Sequence, residues 1–173
     1  MYRGEIGVNY LNNLLQETYN HNPVAFLYGE KRYKLNDKVM QLRNNYEKSV
    51  YNGDIGFIHS YDAEDKKIRI IYEGRIVEYD FTELDEITLA YAVTVHKSQG
   101  SEYPCVILPL STAHYIMLQR NLLYTAITRA SRLLIVIGTK KAFAIAVGNN
   151  KIQKRNSSLF KYSERQLVEF ENL

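Results

Sequence analysis

Within the string YAVTVHKSQGSE, Thr94, His96, Lys97, Ser98, Gln99, Gly100 and Glu102 gather hydroxyls, an imidazole, an ammonium, an amide and a carboxylate. Hydroxyl, imidazole and ammonium groups donate to phosphate oxygens, and a glycine lets backbone approach a ligand with no side chain intervening. A short helix starting at Lys97 or Ser98 would add N–H donors aimed at the same anion. Glu102 repels phosphate, so a sugar hydroxyl or a neighbouring cation suits it better. The same residues also read as a polar strand-to-helix turn with Lys97 in solvent. A second cluster, QRNLLYTAITRA, sets Leu122, Leu123, Ala126, Ile127 and Ala130 along one helical stripe and Arg129 in the final turn. An arginine there either offsets the helix macrodipole or holds a rigid guanidinium toward a phosphate on another domain. Residue types alone do not choose.

Several chemistries are excluded. No G-x-x-x-x-G-K-[ST] phosphate loop occurs, because Gly29 and Gly138 precede lysines that lack the following Ser or Thr. Leu84-Asp85-Glu86-Ile87 follows YDFTE rather than an apolar strand, so it does not read as a metal-holding Walker B segment. His21, His59, His96 and His114 form no ligand pair, and Cys105 is the only cysteine, which rules out an internal disulfide and a multi-thiolate zinc site. No metal site is expected, and no complete catalytic site is present.

The net charge of +3 is modest but unevenly spread. Residues 31–52 are basic and residues 53–93 acidic. Residues 94–155 hold nine bases against Glu102 alone, so the polar cluster opens a strongly basic segment, as a phosphate-binding surface requires. With 46% hydrophobic and 24% charged residues the composition is globular. No apolar run suits a transmembrane helix and no secretion signal is evident, so a cytoplasmic protein with no membrane partner is expected.

The elements that must position these clusters follow from periodicity. Ile6 to Asn20 reads as an amphipathic helix with Leu11, Leu14 and Leu15 on its apolar stripe, extended by Val8 and Tyr19, ending before Pro23. From Lys31 to Tyr79, short β-type runs (KVMQL, IGFIHSY, KKIRIIYE, RIVEYDF) separated by NGD, DAEDK and EGR predict hairpins in a small antiparallel sheet or barrel. Beyond Asp85, LAYAVTV, CVILPL and LLIVIG read as buried strands, with helical stretches from Ala113 to Ala130 and from Lys140 to Gly148. Strands alternating with helices indicate a doubly wound α/β layer. The last stretch, SSLFKYSERQLVEFENL, permits a helix near Ser158 or Ser163.

Together, VTVHKSQGSEYPCVILP and RNLLYTAITRASRLLIVIG resemble motifs V and VI of superfamily 1 helicases, in the form found in RecD-like enzymes of the exodeoxyribonuclease V alpha-subunit type. MYRGEIGVNYLNNLLQ resembles the start of that family's second RecA-like domain, and KVMQLRNNYEKSVYNGDIG its lead into an SH3-like barrel. The resemblance implies an α/β fold: a RecA-like parallel sheet flanked by helices, of the P-loop-NTPase type, with a small SH3-like β-barrel inserted. It places the second RecA-like domain at 1–46 and 87–155, the barrel at 47–86 and a tail at 156–173.

The resemblance further implies the C-terminal motor half of an ATP-dependent DNA helicase moving 5′ to 3′, with the first RecA-like domain supplying the Walker motifs and Mg2+ ligands. Arg129 would be the arginine finger, with Arg3 a second phosphate-sensing arginine. Gln99, Gly100 and Glu102 would meet ATP. Thr94, His96, Lys97 and Ser98 would lie toward single-stranded DNA, with Asn121, Tyr124, Thr125 and Thr128 in support. Lys66, Lys67, Arg69 and Arg75 are candidate phosphate contacts on the barrel, against its acidic balance. Partners would be single-stranded DNA, the N-terminal RecA-like domain and other recombination or repair subunits. A stand-alone single-stranded nucleic-acid-binding module or a protein-interaction domain of the same descent remains open.

Overall fold

Hydrophobic periodicity predicts where leucines should face, and the first helix departs from it. In a computed structural model, which describes residues 6–150, helix α1 spans Val8–Tyr19. Its buried face is polar: Asn12 and Gln16 are inside, followed by Asn20 at the C-cap, whereas Leu14 is 48% and Tyr19 73% exposed. Of the expected apolar stripe, Val8, Leu11 and Leu15 are half-buried and Leu14 and Tyr19 point outward, because the polar residues at i, i+4 and i+8 take the innermost positions and find hydrogen-bond partners there. Arg3 and the expected tail over 156–173 lie outside the described residues.

A hairpin follows, β1 (Val24–Tyr28) with β2 (Lys31–Lys34), turning at Gly29 with φ of 58°. The hairpins expected between Lys31 and Tyr79 then appear as β3 (Lys38–Gln41), β4 (Ile55–Asp62), β5 (Lys67–Tyr72) and β6 (Arg75–Asp80), joined by β7 (Ile87–Leu89). All pair antiparallel in the order β6-β5-β4-β3-β7, so the sheet takes strands from both sides of the 47–86 segment. The β5–β6 turn places Glu73 and Gly74 at φ of 46° and 83°, the left-handed pair a two-residue hairpin needs. Period-two burial along β5 puts Ile68, Ile70 and Tyr72 inside with Tyr33, Val39, Ile58, Tyr79 and Ile87. The expected barrel is not closed: β6 and β7 remain separate edges, connected through a 3-10 segment, Phe81–Glu86, whose capping box joins Asp80 and Glu83.

LAYAVTV does not form the expected buried strand of an α/β layer. Strand β7 stops at Leu89 and belongs to the antiparallel sheet. Ala90 still donates to the Lys38 carbonyl at 2.8 Å, but Ala92 is held by the Asn12 side chain rather than by a strand. That satisfies its backbone and releases the chain into turns.

The α/β portion has the two other expected strands, β8 (Tyr103–Leu110) and β9 (Ala130–Gly138), in parallel from Tyr103↔Ala130 to Leu110↔Gly138. Gly138 is required by packing, since a Cβ there would lie 2.1 Å from the Leu110 carbonyl oxygen. The predicted single helix from Ala113 to Ala130 is instead a 3-10 segment, Thr112–Met117, and helix α2 (Arg120–Ile127), broken where Leu118 turns into the core. Helix α3 (Lys140–Gly148) matches expectation, with the Thr139 hydroxyl oxygen accepting from the Ala142 N–H at 3.1 Å. Leu118, Leu123, Ala142 and Ala146 form the small core beneath these helices.

Candidate nucleic-acid and nucleotide interface

Leaving β7, the chain is clamped before it reaches the polar cluster. Asn12 donates to the Ala92 carbonyl and accepts from the Ala92 N–H, both at 2.9 Å. One residue earlier, the Tyr91 hydroxyl donates to Asp37 at 2.9 Å. Asp37 is fully buried and also accepts from Gln16 Nε2 at 2.5 Å, Asn20 Nδ2 at 2.7 Å and the Lys34 N–H at 2.7 Å. Burial, reinforced by the Asp37 charge, pushes the Tyr91 phenol up to about 12. Lys34, also buried, spans Glu17 at 3.0 Å and the Asn20 carbonyl at 2.9 Å; their hydrogen bond holds the exposed Glu17 carboxyl below its usual range. Helix α1, the β2–β3 turn and the Tyr91–Ala92 segment are therefore one hydrogen-bonded unit. Leucine periodicity hides it; the signal was the Asn12, Gln16, Asn20 spacing on one helix face.

Beyond the clamp, Thr94 organises the turn. Its carbonyl accepts from Lys97 N–H at 3.0 Å and Ser98 N–H at 3.1 Å, and its hydroxyl oxygen lies 3.3 Å from Lys97 N. The helix considered at Lys97 or Ser98 does not form, and those two amides are engaged within the turn rather than offered to an anion. Ser98, expected to face the strand, is buried and donates its hydroxyl to the Val95 carbonyl at 2.8 Å, so it shapes the turn instead. His96, Gln99, Gly100 and Glu102 are exposed. Gly100 has φ of 86° with open space where a Cβ would stand, so the turn's left-handed backbone rather than crowding selects glycine. Lys97 Nζ donates to Asn52 Oδ1 of the β3–β4 loop at 3.0 Å, a contact sequence reasoning missed because nothing local links residues so far apart.

Arg129 follows the end of α2 and closes the site from the other side. Its Nε donates to the Thr125 carbonyl at 3.2 Å, Nη1 to the Ser101 carbonyl at 3.0 Å and Nη2 to the Thr128 hydroxyl at 3.3 Å. Its own carbonyl accepts from Tyr103 N–H at 2.8 Å. The two sequence clusters meet here: one guanidinium ties the helix end to the residue after Gly100. Three of the five N–H donors are used, leaving one on each terminal nitrogen without a partner among the described residues. Thr125 returns its hydroxyl to the Asn121 carbonyl at 2.9 Å, and Thr128 to the Thr125 carbonyl at 3.1 Å, so these residues support the helix end. Tyr124 is 68% exposed, which rules out core packing as its reason.

Three of the four cations considered on the insert are engaged elsewhere, and Lys66 is exposed at the β4–β5 turn. Lys67 and Arg69 both bind Glu78, at 2.6 and 3.0 Å, and Arg75 donates to the Ser49 carbonyl at 2.7 Å. Hydrogen bonding to Lys67 and Arg69 outweighs desolvation and holds the exposed Glu78 carboxyl low. Among the described residues no group of three or more His, Cys, Asp or Glu is placed to hold a metal ion, and no helix is long and apolar enough to cross a membrane.

An antiparallel sheet thus stands ahead of a parallel strand pair whose loops meet at an arginine, and two helicase family models match this chain. The UvrD-like helicase C-terminal domain model matches residues 89–137, and the ATP-dependent RecD-like DNA helicase SH3 domain model matches residues 11–72. The chain belongs to the RecD-like helicases. It is 35% identical over 159 residues to the ATP-dependent RecD2 DNA helicase of Deinococcus radiodurans, covering 92% of this chain and 22% of that protein. It is 32% identical to the RecBCD enzyme subunit RecD of Buchnera aphidicola subsp. Acyrthosiphon pisum, covering 87% of this chain and 25% of the relative. The chain thus spans a quarter or less of the length of these relatives.

Two solved helicases share the fold. The Pif1 helicase from Bacteroides in complex with ADP-AlF3 and ssDNA has a TM-score of 0.59 at 18% identity, covering 94% of this chain and 43% of that one. Pif1 helicase from Candida albicans has a TM-score of 0.57 at 15% identity, covering 95% and 48%.

Proposed function

We propose that this chain supplies one wall of the ATP cleft and part of the single-stranded DNA track in an ATP-dependent DNA helicase working in the cytoplasm in recombination or repair. The observation that carries the reading is Arg129, which bridges the end of α2 to Ser101 with two N–H donors left over. A guanidinium fixed on two sides needs little reordering to meet a γ-phosphate, and its planar donor fork makes lysine a poor substitute. Gln99, Gly100 and Glu102, exposed on the adjoining loop, would meet the nucleotide, with Glu102 toward the ribose. His96 and Lys97 would grip backbone phosphates irrespective of base, on a turn shaped by Thr94 and Ser98. Asn121, Tyr124, Thr125 and Thr128 would support the arginine.

The Walker residues and Mg2+ ligands would come from the first RecA-like domain, in keeping with the lack of a phosphate loop in this chain. Because Arg129 touches the carbonyl of a residue on the strand-facing loop, loss of the γ-phosphate would alter the grip on DNA through a single side chain. Single-stranded-DNA-stimulated ATP hydrolysis by the whole protein tests the reading. Arg129→Ala should lower turnover by about 10³ to 10⁵ with nucleotide binding retained. Unchanged turnover would remove Arg129 from the chemistry and leave a binding module.

A further inference from the structure

We infer that Tyr46 and Tyr51 form a stacking platform for unpaired nucleobases beside the phosphate-gripping turn. The inference rests on the reading of that turn as part of a single-strand track, and it adds a second kind of contact to it.

The two residues lie in the loop between β3 and β4, whose backbone is firmly built. Asn45 and Val50 bridge in both directions, at 2.7 and 3.0 Å, and the Lys48 N–H donates to Asn45 Oδ1 at 3.1 Å. Val50 is fully buried, Arg75 grips the Ser49 carbonyl, and Lys48 pairs with Glu83 while lying 4.4 Å from the centre of the Tyr79 ring. On this rigid mount Tyr46 is 75% and Tyr51 47% exposed, with ring centroids 6.0 Å apart and edge to face. Every other ring contact among the described residues includes a buried or half-buried ring, so only this pair serves no core.

The rings are also coupled to the turn. Asn52, next in the chain after Tyr51, accepts from Lys97 Nζ, and its N–H donates to Asn44 Oδ1 at 3.0 Å. An ammonium has three donors, so Lys97 keeps two for a phosphate. A single strand presents phosphates and base faces side by side, and here a cation and a pair of π faces stand side by side to meet them. The platform's neighbours, Asn44, Asn45, Glu47 and Asn52, are polar, which suits isolated bases better than the continuous apolar area of a protein partner. Stacking reads no sequence, as a moving track requires.

The test measures binding of the full chain to labelled oligo(dT) and to an abasic deoxyribose-phosphate strand of equal length, by fluorescence anisotropy. Tyr46→Leu with Tyr51→Leu should weaken oligo(dT) binding at least about fivefold per ring and leave the abasic strand unchanged. The chain has no tryptophan, so Tyr51→Trp installs a single reporter that should retain affinity and lose emission on oligo(dT). Lys97→Ala should weaken both strands. If the leucine pair binds both strands as the parent does and the tryptophan stays bright, stacking is wrong, the rings belong to a protein partner, and the phosphate reading stands. Equal loss on both strands also overturns stacking. If the parent chain binds neither strand, or Lys97→Ala changes nothing, the track reading fails and takes the platform with it.

Discussion

Replacing Asp37 by Asn removes one charge from a fully buried site and should unravel the clamp that precedes the Thr94–Gly100 turn. Asp37 Oδ1 accepts from Asn20 and Tyr91, and Oδ2 from Gln16 and the Lys34 N–H. With the amide nitrogen at the Oδ2 position the Gln16 amide and the Lys34 N–H both lose their acceptor, whereas at the Oδ1 position only the Asn20 amide does, because the Tyr91 hydroxyl can turn to accept. Gln16 cannot compensate by flipping, because its Nε2 also donates to the Arg32 carbonyl at 3.0 Å. The less costly orientation forfeits one buried hydrogen bond to a charged group, a loss of about 1.5 to 3 kcal/mol. That is about a quarter, at the midpoints, of the 5 to 15 kcal/mol typical of a whole domain. Urea unfolding of the chain measures it, and hydrogen exchange at Ala92 to Gly100 should accelerate in the same variant. Adding Tyr91→Phe should cost less in the Asp37→Asn background than alone, since the two share a bond. A loss under about 1 kcal/mol, or full additivity, would refute the account of Asp37 as the centre of the clamp.

Tyr79 and Tyr91, both raised to about 12, stay protonated in the folded chain at pH values where the unfolded chain ionises near 10, so stability should be intact below pH 10 and fall toward 12. Tyr91→Phe should flatten that fall in urea titrations. Gly138→Ala drives a Cβ to 2.1 Å from the Leu110 oxygen and should cost at least about 1 to 3 kcal/mol, read as a lower melting temperature. Arg129→Lys breaks the tie to Ser101 while keeping the charge, so amide exchange around Gly100 to Tyr103 should rise with little change in global stability.

The hairpins were legible because β-branched runs alternate cleanly and the turns carry Gly53 and Gly74 at positive φ. Strands β8 and β9 were legible as apolar runs and helix α3 as a helical stretch of matching bounds. LAYAVTV misled because an apolar run carries no mark of which sheet it joins, and Asn12, by capturing Ala92, ends the strand from a helix distant in sequence. Helix α1 misled for a related reason: leucine spacing predicts an apolar interface, while Asp37, outside the helix, supplies polar partners. At the site, the two motifs were visible as strings. Their junction through Arg129 and Ser101, the inward turn of Ser98 and the reach of Lys97 to Asn52 all depend on contacts between separated segments, which residue type does not encode.

The unequal cores carry a consequence for how the molecule comes apart. The antiparallel sheet encloses Tyr33, Ile58, Ile70, Tyr79 and their neighbours, while β8 and β9 leave Ile107 at 60% and Ile137 at 57% exposure over a four-residue core. Parallel strands are ordinarily covered on both faces. Heating the chain should therefore melt it in two stages, the β8–β9 half first, and the Thr94–Gly100 turn lies on the seam between them. Its upstream end, gripped at Ala92, would keep its shape after its downstream end at Tyr103 had let go. A seam of that kind converts the loss of one neighbour into slack in the turn, without any change in the insert that anchors it.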